Sequence, residues 1–185
     1  MRIITGSAKG CNLKTPKGMS TRPTSDRVKE SLFSILGSDA CGRVLDIFAG
    51  TGGLGLEALS RGADSCTFID KATTEIIADN AKHTRLADKC QILKGDVFAQ
   101  LRRLETTGQQ FDLVFCDPPY HQGLAHRALE QLENSQLLAP DAIVVMEYGG
   151  DEPELPTTTR LQMVKKQQYG KTTQINFYHL PVEEG

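Results

Sequence analysis

The chain has 185 residues, of which 39% are hydrophobic and 24% charged, values that are typical of one globular domain and exclude disordered and fibrous classes. No apolar run approaches the roughly 20 residues of a membrane-spanning helix, and the N-terminus lacks a signal-peptide layout, so we expect a cytoplasmic protein without membrane contact. The net charge of −2 combines a basic arm, residues 1–29 with a charge of +6, with a remainder that carries −8. This asymmetry favours a polyanionic partner bound through the arm, and a merely solvated basic end is the alternative.

The beginning of the chain predicts a small hairpin and an amphipathic helix. Two extended segments, 2–5 and 11–15, flank a loop that contains two glycines. The helix begins near Asp26, with Thr24 or Ser25 as its cap. Its apolar positions share one face: Val28, Leu32, Ile35 and Leu36. We therefore divide the chain into a basic hairpin-and-helix extension, residues 1–37, and a main domain, residues 38–185.

The main domain alternates strands with helices. The predicted strands are 43–49, 65–70, 90–93, 111–116 and 142–148, and the predicted helices are 54–61, 73–86, 97–104 and 124–134. Several strands are near-continuous apolar runs, as expected of parallel strands buried on both faces. This order predicts an α/β fold with a doubly wound, Rossmann-like sheet and right-handed crossovers. Two successive strands, 160–169 and 172–179, add a terminal hairpin with one antiparallel strand.

The cysteines and histidines give no sign of a metal site. The five cysteines contain no C-x-x-C pair, and the four histidines lack the spacing of metal ligands. We expect free thiols in a reducing compartment, and no metal.

The turn after the first predicted strand has the composition of a cofactor loop. Residues 50–55 fit the pattern G-x-G-x-x-G, and Asp70 lies 20 residues after Gly50 at the end of the second strand. Glycines allow the backbone to approach a ligand closely, and an acid at the position of Asp70 accepts hydrogen bonds from ribose hydroxyls. The loop therefore predicts a cofactor that contains adenosine.

Asp46 separates the candidate cofactors. Its carboxylate lies just before the glycines, where it would repel the pyrophosphate of NAD and attract a cationic ligand. S-adenosylmethionine carries an ammonium and a sulfonium and has no phosphate. Asp46 therefore favours S-adenosylmethionine, and an NAD-dependent oxidoreductase is the more distant alternative.

The fourth predicted strand ends in Asp117-Pro118-Pro119-Tyr120. In a doubly wound sheet the first and fourth strands are neighbours, about 4.8 Å apart, so this motif faces the crevice of the glycine loop. A carboxylate and a backbone carbonyl that accept the N–H groups of an exocyclic amine would free its lone pair for in-line displacement at a methyl. The prolines stiffen the loop, and Tyr120 offers a stacking face for a base.

These motifs resemble a known family. The run Asp46–Ala58, the run 117–120 and the opening patterns R-I-I-x-G at residues 2–6 and R-P-T-x-D-R-V-K-E-x-L-F at residues 22–33 look like the RsmD family. That family comprises bacterial small-subunit (16S) rRNA guanine-N2 methyltransferases, which are class I enzymes dependent on S-adenosylmethionine. The resemblance extends from residue 2 to about residue 180, and the opening patterns are its most family-specific part.

The resemblance implies a role for each matched residue. The implied cofactor contacts are Asp46, Phe48, Gly50, Gly52, Asp70 and Asp96. The implied catalytic residues, which hold the target guanine, are Asp117, Pro118, Pro119 and Tyr120. The resemblance and the charge of the basic arm together predict the following RNA contacts: Arg2, Lys9, Lys14, Lys17, Arg22, Thr24 and Arg27. The implied partner of this monomeric enzyme is rRNA, within the small ribosomal subunit or its assembly intermediate.

Two departures from the family pattern and several alternatives stay open. The acid that ends the second strand is more often Glu in the family, and the hairpin loop is usually richer in arginine. Motif chemistry alone indicates an exocyclic amine of a base, so an adenine-N6 methyltransferase of DNA or RNA is the alternative, and a non-catalytic RNA-binding module is another. Glu147, which ends the fifth strand, has two open roles, in substrate contact and in hydrogen bonding at the sheet edge. His121, after the Asp117 motif, has surface packing and contact with RNA as its alternatives.

Overall fold

The computed structural model describes residues 1–18 and 24–183 of the chain. The helices are α1 Asp26–Leu36, α2 Gly53–Ser60, α3 Thr74–His83, α4 Val97–Thr106 and α5 Leu124–Glu133. The strands are β1 Arg43–Ile47, β2 Ser65–Asp70, β3 Cys90–Lys94, β4 Phe111–Cys116, β5 Leu138–Gly149, β6 Gln162–Tyr169 and β7 Thr173–His179. None of the helices in these ranges is long and apolar enough to cross a membrane.

All of these strands form one sheet, in the order β3-β2-β1-β4-β5-β7-β6. Strands β1 to β5 are parallel, and β7 runs antiparallel between β5 and β6. The predicted sheet, mostly parallel with one antiparallel strand near the C-terminus, is therefore confirmed. The strand order reverses between β1 and β4, and such a switch point opens a crevice at the carboxyl ends of the strands.

The sheet separates two hydrophobic cores. On one face Leu32 and Phe33 of α1 pack with Leu113 and Phe115 of β4, and the rings of Phe33 and Phe115 lie 5.6 Å apart. On the other face α4 and α5 cover the sheet. The core on the first face is thus shared by the N-terminal extension and the main sheet. The division of the chain into two parts at residue 37 stays a prediction.

The N-terminal hairpin is shorter than predicted. Within residues 1–18 its two strands reduce to one antiparallel bridge, between Arg2 and Asn12. The first of the two segments also bonds to α2, because the Glu57 carboxylate accepts from the backbone N–H of Ile4 at 2.9 Å and of Thr5 at 3.2 Å. These bonds fasten the beginning of the chain to the helix that follows the glycine loop.

Two predicted boundaries differ from the structure. Helix α3 ends at His83 rather than at residue 86, and Arg85 then has a φ of +60°, which helical geometry excludes. Strand β5 begins four residues before its predicted start, because Leu138 already pairs with Phe111 and a register shift follows in the ladder. This irregularity accommodates Pro140, a residue that argues against a strand when only the sequence is considered.

Candidate active site

The glycine loop turns sharply at the end of β1. Phe48 has a φ of +56°, and Gly50 and Gly52 have φ values of +59° and +81°. A Cβ added to Gly50 would meet nothing within 4 Å, so this backbone lies against open space. A Cβ added to Gly55 would lie 2.4 Å from the ring of Phe68. Gly55 therefore permits close packing of α2 on β2, whereas Gly50 leaves room for a ligand.

Asp70 connects the glycine loop to the beginning of α3. Its Oδ2 accepts from the backbone N–H of Gly50 at 2.9 Å, and its Oδ1 accepts from the N–H groups of Ala72 at 2.9 Å and Thr73 at 3.1 Å. The side chain lies at the carboxyl end of β2, and a carboxylate oxygen can accept two hydrogen bonds. Oδ2 therefore retains capacity for a ribose hydroxyl. The bond to the loop is a role that sequence reasoning missed.

Asp46 is buried beneath the same loop, where it braces the first turn of α2. Its Oδ2 accepts from the backbone N–H of Gly55 at 2.9 Å, and the residue is 1% exposed. Burial, aided by the charge of Asp70 and opposed by the hydrogen bond from Gly55, raises the pKa of Asp46 to about 8. A cation bound nearby would favour the ionised form.

Replacing Asp46 by asparagine is expected to stabilise the ligand-free protein progressively as the pH rises. The folded-state pKa of Asp46 is above its unfolded value, so wild-type stability falls between about pH 4 and 8 as the unfolded chain loses this proton first. The amide oxygen of the substituted side chain can still accept from Gly55. Urea titrations should show the difference in unfolding free energy growing by up to about 1.4 kcal/mol per pH unit and levelling off above pH 8. A difference independent of pH would contradict the assigned pKa.

Phe48 and Asp96 both border α4. Asp96 caps this helix, since its Oδ2 accepts from the backbone N–H of Ala99 at 2.9 Å, and its side chain is exposed after β3. The ring of Phe48 meets that of Phe98 edge-on, with centroids 6.0 Å apart. The guanidinium of Arg127 covers Phe98 at 3.7 Å. Two of the expected cofactor contacts, Phe48 and Asp96, are therefore positioned by one helix.

Three carboxyl groups lie in a row on β1, β4 and β5 at the carboxyl edge of the sheet. Cys116 pairs with Met146, so the residues that follow them, Asp117 and Glu147, are neighbours. The residues two positions before the three acids lie in the core on the α1 face: Val44, Phe115 and Val145. Since side chains alternate along a strand, Asp46, Asp117 and Glu147 project to that same face.

Asp117 is held at the centre of this row. The hydroxyl of Thr24 donates to its Oδ2 at 3.4 Å. Burial raises the pKa of Asp117 well above its ordinary value, and the charges of Glu147 and Asp46 raise it further. Once ionised, a carboxylate in this environment accepts a proton more readily than an ordinary one, which suits a general base.

Tyr120 is fixed by hydrogen bonds at its hydroxyl. This group donates to Glu147 Oε1 at 2.8 Å and lies 3.3 Å from Thr173 Oγ1. The structure thus shows the sheet-edge role for Glu147, which is 7% exposed. The next residue, His121, has a φ of +64°, and its backbone N–H donates to Glu152 at 2.9 Å. Both ends of the Asp117–Tyr120 turn are therefore anchored.

A cavity of about 550 Å³ opens beside this turn. Its walls are the beginning of α1 from Thr24 to Ser31, the β6–β7 turn from Gln167 to Thr173, and Glu147. Thr24 belongs to this wall and also contacts Asp117, so the cavity adjoins the row of carboxyl groups. The turn between β6 and β7 has no sequence motif, and sequence reasoning missed its part in the site.

Asn80 of α3 joins the N-terminal arm to the glycine loop. It is 1% exposed, and its Nδ2 donates to the carbonyl oxygens of Lys14 at 3.1 Å and Thr51 at 2.9 Å. Its Oδ1 accepts from the backbone N–H of Lys14 at 2.7 Å. No sequence pattern singles out this asparagine, because its two partners lie far from it along the chain.

The basic residues expected to contact RNA have different surroundings. Arg2 forms an ion pair with Asp26 at 3.0 Å, and Lys14 forms one with Asp79 at 3.3 Å. Arg2 and Lys14 are nevertheless exposed, as are Lys9, Lys17 and Arg27. Arg22 lies outside the described residues.

The chain is similar in sequence and in fold to known proteins. The family model described as "Conserved hypothetical protein 95" matches residues 1–179. A curated relative, "Putative rRNA methyltransferase YlbH" of Bacillus subtilis, is 41% identical over 93% of this chain and 95% of its own. "Ribosomal RNA small subunit methyltransferase D" of Haemophilus influenzae is 38% identical over 97% of this chain and 92% of its own. A solved structure described as putative methyltransferase yhhF from Escherichia coli has 33% identity and a TM-score of 0.85, and covers 99% of both chains.

Proposed function

The chain belongs to the conserved hypothetical protein 95 family, and from this premise we propose that it methylates the exocyclic N2 amine of a guanine in small-subunit rRNA, with S-adenosylmethionine as methyl donor. One observation carries the chemistry. The glycine loop follows β1 and the Asp117–Tyr120 turn follows the neighbouring strand β4. At this edge of the sheet the side chains of Asp46, Asp117 and Glu147 project to the α1 face. The choice of guanine and rRNA rests on the names of the relatives, "Ribosomal RNA small subunit methyltransferase D" and "Putative rRNA methyltransferase YlbH".

The residues around the glycine loop fit the proposed cofactor. Open space against Gly50 gives room for the methionine portion, and Oδ2 of Asp70 can accept from a ribose hydroxyl. Asp46 adds negative potential beneath the loop once it is ionised, which suits an ammonium and a sulfonium. When bound, S-adenosylmethionine supplies a methyl group activated by its positively charged sulfur.

Asp117 prepares the amine for transfer. The N2 lone pair of guanine is delocalised into the ring, so Asp117 and the carbonyl of Pro118 would accept its two N–H groups and release that pair. As the nitrogen–carbon bond forms and the carbon–sulfur bond breaks, the surplus proton of N2 passes to the Asp117 carboxylate. The raised pKa of Asp117 suits this acceptor, and the proton is later lost to water.

The remaining residues position the base. Tyr120, anchored through Glu147 and Thr173, offers a fixed ring on which the base stacks. A guanine within folded rRNA has to leave its stack to reach Asp117, so the nucleotide enters extruded. We further propose that the enzyme acts as a monomer in the cytoplasm, where its five thiols stay reduced and ribosomal subunits are assembled.

Mass spectrometry of nucleosides tests this function directly. Free rRNA, small ribosomal subunits and DNA are each incubated with the protein and with S-adenosylmethionine that carries a labelled methyl. We expect labelled N2-methylguanosine from rRNA in at least one form. Labelled N6-methyladenine in DNA without N2-methylguanosine in rRNA would overturn the substrate, and tight NADH binding without S-adenosylhomocysteine binding would overturn the cofactor.

The arm is expected to contribute to RNA affinity mainly through Lys9 and Lys17, whose charges no ion pair balances within the described residues. The double substitution Lys9→Ala and Lys17→Ala should reduce the slope of log affinity against log salt by about 1.4 to 1.8, because each lost phosphate contact accounts for about 0.7 to 0.9 of the slope. Lys14→Ala is the matched control, since Asp79 already balances part of this charge, and it should change the slope less. Filter binding at salt concentrations from about 50 to about 300 mM measures the slopes. An unchanged slope in the double variant would show that these lysines belong to a solvated basic end that does not contact RNA.

A further inference from the structure

The cavity between α1 and the β6–β7 turn has the size and the polarity of a nucleotide site. Its volume of about 550 Å³ lies in the range of small-ligand pockets. Val28 supplies an apolar wall, Ser25 and Gln167 supply polar groups, and exposed Arg27 borders the opening, where a phosphate would lie. Glu147 is its buried carboxyl group.

Glu147 lies beside Asp117, and the side chains of the two residues hydrogen-bond each other. The residues stand at the same level of neighbouring strands and project to the same face, so their carboxyl groups are adjacent. Tyr120 donates to Oε1 of Glu147 and thereby fixes the orientation of the carboxylate. A carboxylate offers about four acceptor positions, so Glu147 can bond a ligand in addition to Tyr120 when the ligand takes the place of its hydrogen bond with Asp117.

The edge of guanine presents two neighbouring donors, the ring N1–H and the exocyclic N2 amine. Adenine presents one donor, N6, and its ring N1 is an acceptor. If Asp117 accepts from the N2 amine, the adjacent N1–H of guanine points to the neighbouring acceptor, the carboxylate of Glu147. We infer that the cavity receives the target guanine and that Glu147 accepts a hydrogen bond from N1–H, which makes Glu147 the residue that selects guanine. This inference rests on the proposed function.

A carboxylate at this place also rejects the wrong base. Ring N1 of adenine would direct a lone pair at Glu147, and two acceptors that face each other in a buried site lose a hydrogen bond and repel each other. Sites built to hydrogen-bond a substrate group reject analogues that lack it strongly, because their own buried groups are left unpaired. The Asp117 motif alone does not make this distinction, because adenine also has an exocyclic amine.

The decisive substrate is an RNA in which the methylated guanine, located by the labelling experiment, is replaced by 2-aminopurine. This base keeps the 2-amino group and has no hydrogen on N1. For wild-type protein we expect kcat/KM to be at least 10-fold higher with guanine than with 2-aminopurine. In Glu147→Gln the amide either accepts from N1–H or donates to bare N1, so the ratio should fall to about 3 or less.

Two further variants separate base selection from a structural role. Ser31→Ala changes the same cavity wall, where the Ser31 hydroxyl lies 2.7 Å from that of Tyr169, but leaves Glu147 intact, so the ratio should stay at its wild-type value. Glu147→Asp keeps a carboxylate and should keep a preference for guanine even if its activity is low. A general loss of folding lowers both rates together and leaves the ratio unchanged.

The outcomes distinguish this inference from the proposed function. If no guanine RNA is methylated at N2, the proposed function itself fails. If guanine is methylated but wild-type protein uses 2-aminopurine equally well, or if Glu147→Gln retains the wild-type ratio, the function stands and the selecting role of Glu147 is overturned. A ratio that collapses in Glu147→Asp or in Ser31→Ala also overturns it.

Discussion

Asp117→Ala is expected to lower the rate of methyl transfer at least 100-fold and to leave the affinity for S-adenosylhomocysteine unchanged. General-base contributions are about 100- to 10,000-fold, and Asp117 also aligns the amine. The glycine loop is held by other acids, Asp46 and Asp70, so the cofactor site should survive the substitution. Single-turnover kinetics with labelled cofactor measures the rate, and calorimetry measures the affinity.

Asp117→Asn is the matched control for this prediction. The amide oxygen still accepts one N–H of the amine and can still receive the hydrogen bond from Thr24, but the amide cannot take up a proton. We therefore expect a rate between those of the wild-type and alanine proteins. An alanine variant with a rate within about threefold of wild type would overturn the role of Asp117 as the base, because a general base contributes at least about 100-fold.

The parts of the site that could be predicted are those where a strand ends in a short motif. The glycine loop after β1, Asp70 after β2 and the Asp117 motif after β4 have fixed places once the strands are parallel, because their carboxyl ends share one edge. Local sequence is sufficient there. The same reasoning predicted the order of the helices and strands of the main domain, with errors at element ends, whereas the two predicted N-terminal strands reduce to one bridge.

The cavity could not be predicted, since it depends on segments far apart in the chain. Residues from Thr24 to Ser31 meet the turn from Gln167 to Thr173 only because β7 inserts antiparallel between β5 and β6. The polar residues of that turn have the composition of a solvated hairpin. Glu147 left two roles open for a related reason, because its partner Tyr120 lies 27 residues away, on the turn after another strand.

The role of Glu57 in α2 could not be predicted either, because it also depends on residues far away in the chain. Glu57 belongs to the motif that resembles a cofactor loop, yet its carboxylate is fully buried and serves the N-terminal arm. It accepts from the backbone N–H groups of Ile4 and Thr5, and it pairs with the guanidinium of Arg61 at 2.9 Å and with Lys29 Nζ at 3.3 Å. Lys29 in turn donates to the carbonyl of Arg2 at 2.7 Å. A lysine and a glutamate on separate helices give no sequence signal of this pairing.

Glu57→Ala is expected to destabilise the fold by about 3–5 kcal/mol at neutral pH. Removing one partner of a buried ion pair leaves the other charge uncompensated, and the two backbone N–H groups of the arm lose their acceptor as well. Urea unfolding at 25 °C measures the loss. In Glu57→Gln an amide oxygen still accepts from Ile4 and Thr5, so this control isolates the contribution of charge, and we expect a smaller loss.

The pH dependence of this loss identifies its cause. Burial already lowers the pKa of Lys29, against the opposing effect of Glu57, so removal of Glu57 should lower it further. A lysine whose pKa is lower in the folded state binds fewer protons there than in the unfolded chain, so the stability of Glu57→Ala should rise with pH between those two pKa values. The deficit of the alanine variant should therefore shrink on going from pH 7 towards 10, and Lys29→Met in the same background should remove this trend. A deficit that does not vary with pH would assign the cost to the hydrogen bonds of Ile4, Thr5 and Arg61, and the buried charge of Lys29 would then have no part in fastening the arm.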